Sequence, residues 1–123
     1  MYNHGIWHEG MFMKLHYVLC AVLLSASMAL AAETLLSVPA DPTAQHFLVK
    51  KGGTGVARLI VTKRVGPEGI SFAKRLYNCK ENTVKFLGSA GSVEEIAATK
   101  PDSKIEAIAA GSIDFFIGAE ACK

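Results

Sequence analysis

The sequence predicts an α+β fold: a small antiparallel β-meander of three to four strands, a short helix and a C-terminal amphipathic helix, with one disulfide. Three observations lead there. Runs rich in β-branched and aromatic residues lie between His46 and Gly88. Turn residues separate them at 66–69 and 80–82, and the chain ends in a capped stripe of apolar residues at helical spacing.

Residues 1–31 read as a leader and not as fold. Lys14 and His16 form a short positive region, Tyr17 to Met28 an apolar run, and Ala29-Leu30-Ala31 the small-x-small site of a signal peptidase. Cleavage is therefore expected after Ala31, giving an exported protein that is periplasmic, secreted or displayed at the cell surface. The apolar run falls short of the roughly 20 residues a membrane-spanning helix needs, so no span is expected in the mature chain. Met1 to Gly10 lacks the form of a leader start, and Met11 or Met13 would each give a conventional one. Cys20 follows Leu19 where lipoprotein processing needs a small residue, so it is expected to leave with the leader.

Residues 32–55 read as an N-terminal tail and one short strand, and 56–123 as the α+β core. In the tail, Pro39 and Pro42 disfavour helix at the residues before them. His46 to Val49 is a strand candidate, stopped by Gly52, Gly53 and Gly55. Val56 to Val65 is a longer strand, whose Leu59, Val61, Lys63 and Val65 are expected to form the core face. Gly66-Pro67-Glu68-Gly69 supplies a hairpin turn, Pro67 pre-setting φ at the first central position. Ile70 to Cys79 returns, and both of its faces are partly apolar. Asn82 suits a left-handed turn before the third strand, Thr83 to Gly88.

Ser92 and Glu95 match a capping box, opening a helix expected to reach about Thr99 before Pro101. Ile105 to Ala109 fits strand or helix spacing, with an extended segment slightly favoured. Ser112 caps the last helix, with Ile113, Phe116, Ile117 and Ala121 on one stripe and Phe115 off it. Gly118 within this helix costs about 1 kcal/mol relative to Ala.

A domain this small has a marginal core. Its two cysteines, Cys79 and Cys122, are most simply a disulfide in an oxidising compartment; a metal pair, a redox-active pair and two free thiols are the alternatives. Closing a loop of about 43 residues would disfavour the unfolded chain by roughly 3 to 4 kcal/mol. The mature part has a single histidine and no CxxC spacing, so no metal site and no cofactor are expected.

No catalytic constellation emerges. Lys50 to Gly55 matches neither phosphate-loop pattern, no serine sits in a G-x-S-x-G elbow, and adjacent Glu94 and Glu95 cannot face each other on a helix. His46, without an identifiable acid, reads as an ordinary partly exposed histidine. The net charge is +2, and losing Lys14 and Glu9 with the leader leaves it so; with charges interspersed, this argues against nucleic acid or a polybasic membrane surface. Lys63, Arg64, Lys74 and Arg75 flank the 66–69 turn and form a candidate partner-binding rim for an anionic ligand. Solvated strand charges that discourage edge pairing are the plainer reading.

Tyr77-Asn78-Cys79, then Lys85 to Gly88, then Ala109 to Ser112 leading into a terminal helix that ends Ala121-Cys122, resembles the bacterial surface-adhesion protein E family and related small exported domains. The likeness spans Arg58 to Cys122 and departs at Ala110, where that pattern has proline. The resemblance implies a Cys79–Cys122 disulfide and a small antiparallel sheet packed with helix. The function expected is that of a non-enzymatic envelope or surface interaction module, with a protein or envelope ligand. The alternative is a periplasmic thiol-redox or metal-handling protein using the two cysteines, and a third is a small inhibitor presenting the Val65 to Gly69 turn to a hydrolase.

Overall fold

Six antiparallel strands, each hydrogen-bonded to the next in sequence, make up most of the fold. The computed structural model describes residues 33–102 and 104–123. The expected leader, its cleavage site, the alternative starts and Cys20 lie outside the described residues. Glu33–Lys123 forms one compact unit. Among the described residues, no helix is long and apolar enough to cross a membrane.

The strands are β1 (Thr34–Leu36), β2 (Gln45–Gly52), β3 (Ala57–Gly66), β4 (Gly69–Asn78), β5 (Thr83–Ala90) and β6 (Ile105–Ala107). Among the described residues, the helices are α1 (Val93–Ile96) and α2 (Ile113–Ala121). With six strands and helices of only 4 and 9 residues, the fold is closer to all-β than to the expected α+β meander of three to four strands. The difference lies at the edges. β1 and β6 have 3 residues each, too few to show a period of two, and they become strands by pairing with β2 and β5. Of residues 32–55, read as a tail and a short strand, the described part supplies β1 and β2 of the same sheet.

The local signals in the middle of the chain act as their chemistry requires. Gly66 pairs with Gly69 across the Pro67-Glu68 turn. Asn82 takes φ 56°, the left-handed region, between β4 and β5. The Oγ of Ser92 accepts from the Glu95 N–H and that of Ser112 from the Phe115 N–H, capping α1 and α2. Helix α1 stops sooner than expected, and the Thr99 hydroxyl turns back to donate to the Ile96 carbonyl at 2.7 Å.

Directly paired residues in an antiparallel ladder point to the same side, so the register assigns two faces. One, termed the front, carries His46–Arg64–Ser71, Leu48–Thr62–Ala73–Ser89, Ile60–Arg75–Phe86 and Arg58–Tyr77–Val84 as successive rows. The back carries Phe47–Lys63–Phe72, Lys50–Val61–Lys74 and Leu59–Leu76–Lys85. The main core lies on the front, where Ile60, Tyr77 and Val84 meet Ile117 and Ala121 of α2 and Val38 from the loop after β1. This corrects the expected core face of β3, which was the Leu59 side. Val61 on that side is also buried, along with Ile96, because the short α1 packs there with its lining of Lys50, Leu59, Val61 and Lys74. A sheet covered by one short helix on each side has no single apolar face to read. Tyr77, Ile60 and Ile117 are the largest fully buried side chains, each contributing about 1.5 to 3 kcal/mol from burial.

Helix α2 is matched to β4 residue by residue. Arg75, Tyr77 and Cys79 alternate along the front of β4 and just past its end. They meet Asp114, Gly118 and Cys122, which are spaced by four along α2. Two strand residues rise about 6.6 Å and four helix residues about 6.0 Å, so the three ties stay in step. The Arg75 Nε donates to Asp114 Oδ1 at 2.8 Å. The Tyr77 hydroxyl donates to the Asp114 carbonyl at 2.9 Å, and burial raises its pKa above the ordinary phenol value, which keeps it a donor. Cys79 and Cys122 are joined by a disulfide with their Cα atoms 5.7 Å apart.

Gly118 has its reason here: a Cβ at that position would meet the Tyr77 ring at 2.7 Å. Gly118→Ala is expected to lower stability by roughly 1 to 2 kcal/mol, overpacking outweighing the helix propensity that Ala gains. A lowered melting temperature by circular dichroism is the expected result, and an unchanged or raised one would refute the packing argument.

Candidate functional site

Helix α2 covers only part of the front face. The remainder is a shallow depression of about 170 Å³ lined by His46, Thr62, Arg64, Ser71, Ala73, Arg75, Phe86 and Ser89. These residues come from β2, β3, β4 and β5, and the pleat places every one of them on the front. Among the described residues, no carboxylate lines it.

Two carboxylates behind the lining hold the guanidinium groups. Arg64 donates from Nε to Asp41 Oδ2 at 2.7 Å and from Nη2 to Asp41 Oδ1 at 3.2 Å, a two-point grip. Its remaining Nη1 reaches Glu68 Oε2 at 3.1 Å, a carboxylate that is 82 % exposed in the turn. Gly66 makes room for this group, since a Cβ there would meet Arg64 Nη1 at 2.7 Å. Arg75, held by Asp114, also directs Nη1 toward the Thr62 hydroxyl at 3.4 Å and stacks over the Phe86 ring, 5.6 Å from its centroid.

His46 differs from its sequence reading. It is 4 % exposed, and its Nε2 lies 2.8 Å from Asp41 Oδ2. Asp41 sits in the turn between β1 and β2, where its N–H donates to the Val38 carbonyl and its carbonyl accepts from the Ala44 N–H. The partner acid was five residues upstream, across a turn that folds it back, and no motif marks that spacing. The other ring nitrogen, Nδ1, is buried and has no hydrogen-bond partner among the described residues. The Asp41–His46 pair is thus not extended to any of the nearby hydroxyls as a nucleophile would require. Nor is there, among the described residues, a group of three His, Cys, Asp or Glu side chains placed to hold a metal ion.

The four basic residues singled out in the sequence do not form one rim. Adjacent strand residues point to opposite faces, so Arg64 and Arg75 lie on the front and Lys63 and Lys74 on the back. Lys63 contacts both carboxylate oxygens of Glu33 at 2.8 Å and lies over the Phe47 ring. Of the two cysteines, Cys79 is half-buried and Cys122 exposed, at the far end of the front face from the depression.

The Arg64 guanidinium, and after it His46, holds the Asp41 carboxyl well below its ordinary 3.8, at about 2. The same hydrogen bonds raise Arg64. Because the folded pKa of Asp41 is depressed, its stabilising effect is complete above about pH 4 and lost as pH falls through about 2. Asp41→Asn is expected to melt at a lower temperature than the parent at pH 7, and to lose less on acidification from pH 4 to 2. Equal acid sensitivity of the two proteins would show that Asp41 is not held this way.

The geometry stands without a relative to compare it with. No protein-family model, curated protein or solved structure matches this chain.

Proposed function

We propose that this chain is an exported, non-enzymatic binding module of the bacterial cell envelope or surface, of the kind its resemblance to surface-adhesion protein E suggests. Its ligand site is the open part of the front face. The ligand carries a small oxyanion, a carboxylate or a phosphate. The observation that supports this most is the lining itself: two arginines, three hydroxyls and an imidazole converge with no carboxylate among them. Asp114 holds the Arg75 guanidinium through Nε alone, which leaves its Nη groups for a ligand beside the Thr62 hydroxyl, while Arg64, held at Nε and Nη2 by Asp41 and at Nη1 by the exposed Glu68, contributes a fixed positive charge. Planar, pre-oriented guanidinium groups favour bidentate oxyanion recognition. Phe86 and Ala73 give the rest of the ligand an apolar wall.

Calorimetric titration at low ionic strength with sodium phosphate and, separately, sodium acetate tests this. At least one anion is expected to bind. Arg75→Gln should weaken it about tenfold or more, the scale of one lost charge-assisted hydrogen bond. Arg58→Gln, at the opposite end of the face, should leave it unchanged. Failure of both anions to bind, or equal loss in both variants, would contradict the site. A hydrolytic or redox activity abolished by one substitution would overturn the non-enzymatic reading.

A further inference from the structure

The back of the sheet carries a second, independent pattern. All three arginines of the chain, Arg58, Arg64 and Arg75, lie on the front, whereas the cations of the back are lysines alone: Lys50, Lys63, Lys74 and Lys85. In the linear sequence these lysines are interspersed, which argued against a basic surface; the register gathers them. Each has apolar cross-strand neighbours. Lys63 pairs with Phe47 and Phe72, Lys50 and Lys74 with Val61, and Lys85 with Leu76 and Ile105. Glu33 is taken up by Lys63. Among the described residues, Lys50, Lys74 and Lys85 have no carboxylate within ion-pair distance. The 4-residue α1 covers only part of this face. Large apolar side chains stand open at its margins, with Leu35 59 %, Ile70 55 % and Ile105 69 % exposed.

We infer that this back face docks on a lipid surface bearing anionic head groups. Charge complementarity selects an anionic partner, since among the described residues three of its four lysines are without a counter-ion and they outnumber Glu94 and Glu95, which α1 carries exposed on the same side. The kind of cation selects lipid over protein. Protein interfaces favour arginine and are depleted in lysine. A lysine whose methylene stem lies along apolar side chains while its ammonium reaches outward is the arrangement seen at membrane interfaces. Leu35, Ile70 and Ile105 then enter the boundary between head groups and acyl chains, and Lys50, Lys74 and Lys85 meet the phosphates. Docking requires nothing of the front depression, so either proposal can fail alone.

The test is co-sedimentation of the protein, expressed from the whole sequence and purified from the periplasm, with vesicles of phosphatidylcholine alone or mixed with phosphatidylglycerol. Partitioning to the anionic vesicles should be at least about tenfold stronger and should fall with added salt, each lysine near the surface adding several-fold. The charge-reversal pair K74E/K85E should lose at least tenfold, while R58E, on the opposite face of the sheet, should bind like the parent. If K74E/K85E does not fold, as judged by its thermal transition, K74Q/K85Q replaces it with a loss in the same direction. Equal partitioning to both vesicle types, no binding at low salt, or a charge-reversed pair that binds like the parent would overturn the inference. Binding to polyglutamate without binding to vesicles would also overturn it, in favour of an acidic protein partner.

Discussion

The front face is organised by the docking of α2 along β4. The match is between two periods, two residues per repeat in the strand and about four per returning face of the helix. Arg75 to Asp114, Tyr77 to Gly118 and Cys79 to Cys122 are three consecutive teeth of it, and they differ in kind: an ion pair, a packed ring with its hydroxyl capped by a carbonyl, and a covalent bond. A helix of 9 residues would be marginal alone in water, so its order comes from this docking rather than from propensity.

The ligand proposal depends on the same docking. The sheet offers one continuous front face, and α2 fills the side with Ile60, Tyr77 and Val84, leaving the Thr62, Arg64 and Ser71 side open. Arg75 stands at the boundary. Its guanidinium is both the first tie of the helix and a wall of the depression, so the position of α2 sets the position of that cation. On the opposite side Asp41 does the equivalent for Arg64, with His46 packed beneath it. The depression is thus framed by two carboxylate-held arginines, one held by the β1–β2 turn and one by the helix.

Much of the centre of this arrangement is legible in the sequence because its signals are local. The Gly66 to Gly69 turn, the left-handed Asn82 and the serine caps at 92 and 112 each state their chemistry within four residues. The stripe Ile113, Phe116, Ile117 and Ala121 likewise gives the buried side of α2, with Phe115 outside it. What was not legible depends on long-range pairing. β1 becomes a strand only through β2, and β6, legible as an extended segment, carries no local mark of its place beside β5. The core side of β3 was read as the Leu59 side, and wrongly, because Ile60 and Val61, adjacent in sequence, are both buried, under different helices. His46 seemed to lack an acid because Asp41 reaches it through a turn, and Gly118 seemed only a helix weakness because Tyr77 lies 41 positions earlier. The basic quartet at 63, 64, 74 and 75 is the clearest case: its place on either side of the 66–69 turn suggested one patch, and the pleat divides it into two surfaces of different chemistry.

The most direct test of this account is thermal unfolding of the oxidised and reduced protein, after intact mass has shown the loss of two hydrogens in the oxidised form. The covalent tie of α2 to β4 closes 43 residues and should contribute on the order of 4 kcal/mol, lowering the melting temperature on reduction by roughly 15 °C or more in a domain this small. Two transitions, or one, that shift so far on reduction would place the helix docking at the centre of the fold's stability. Free thiols in the exported protein, or a melt unchanged by reductant, would contradict it.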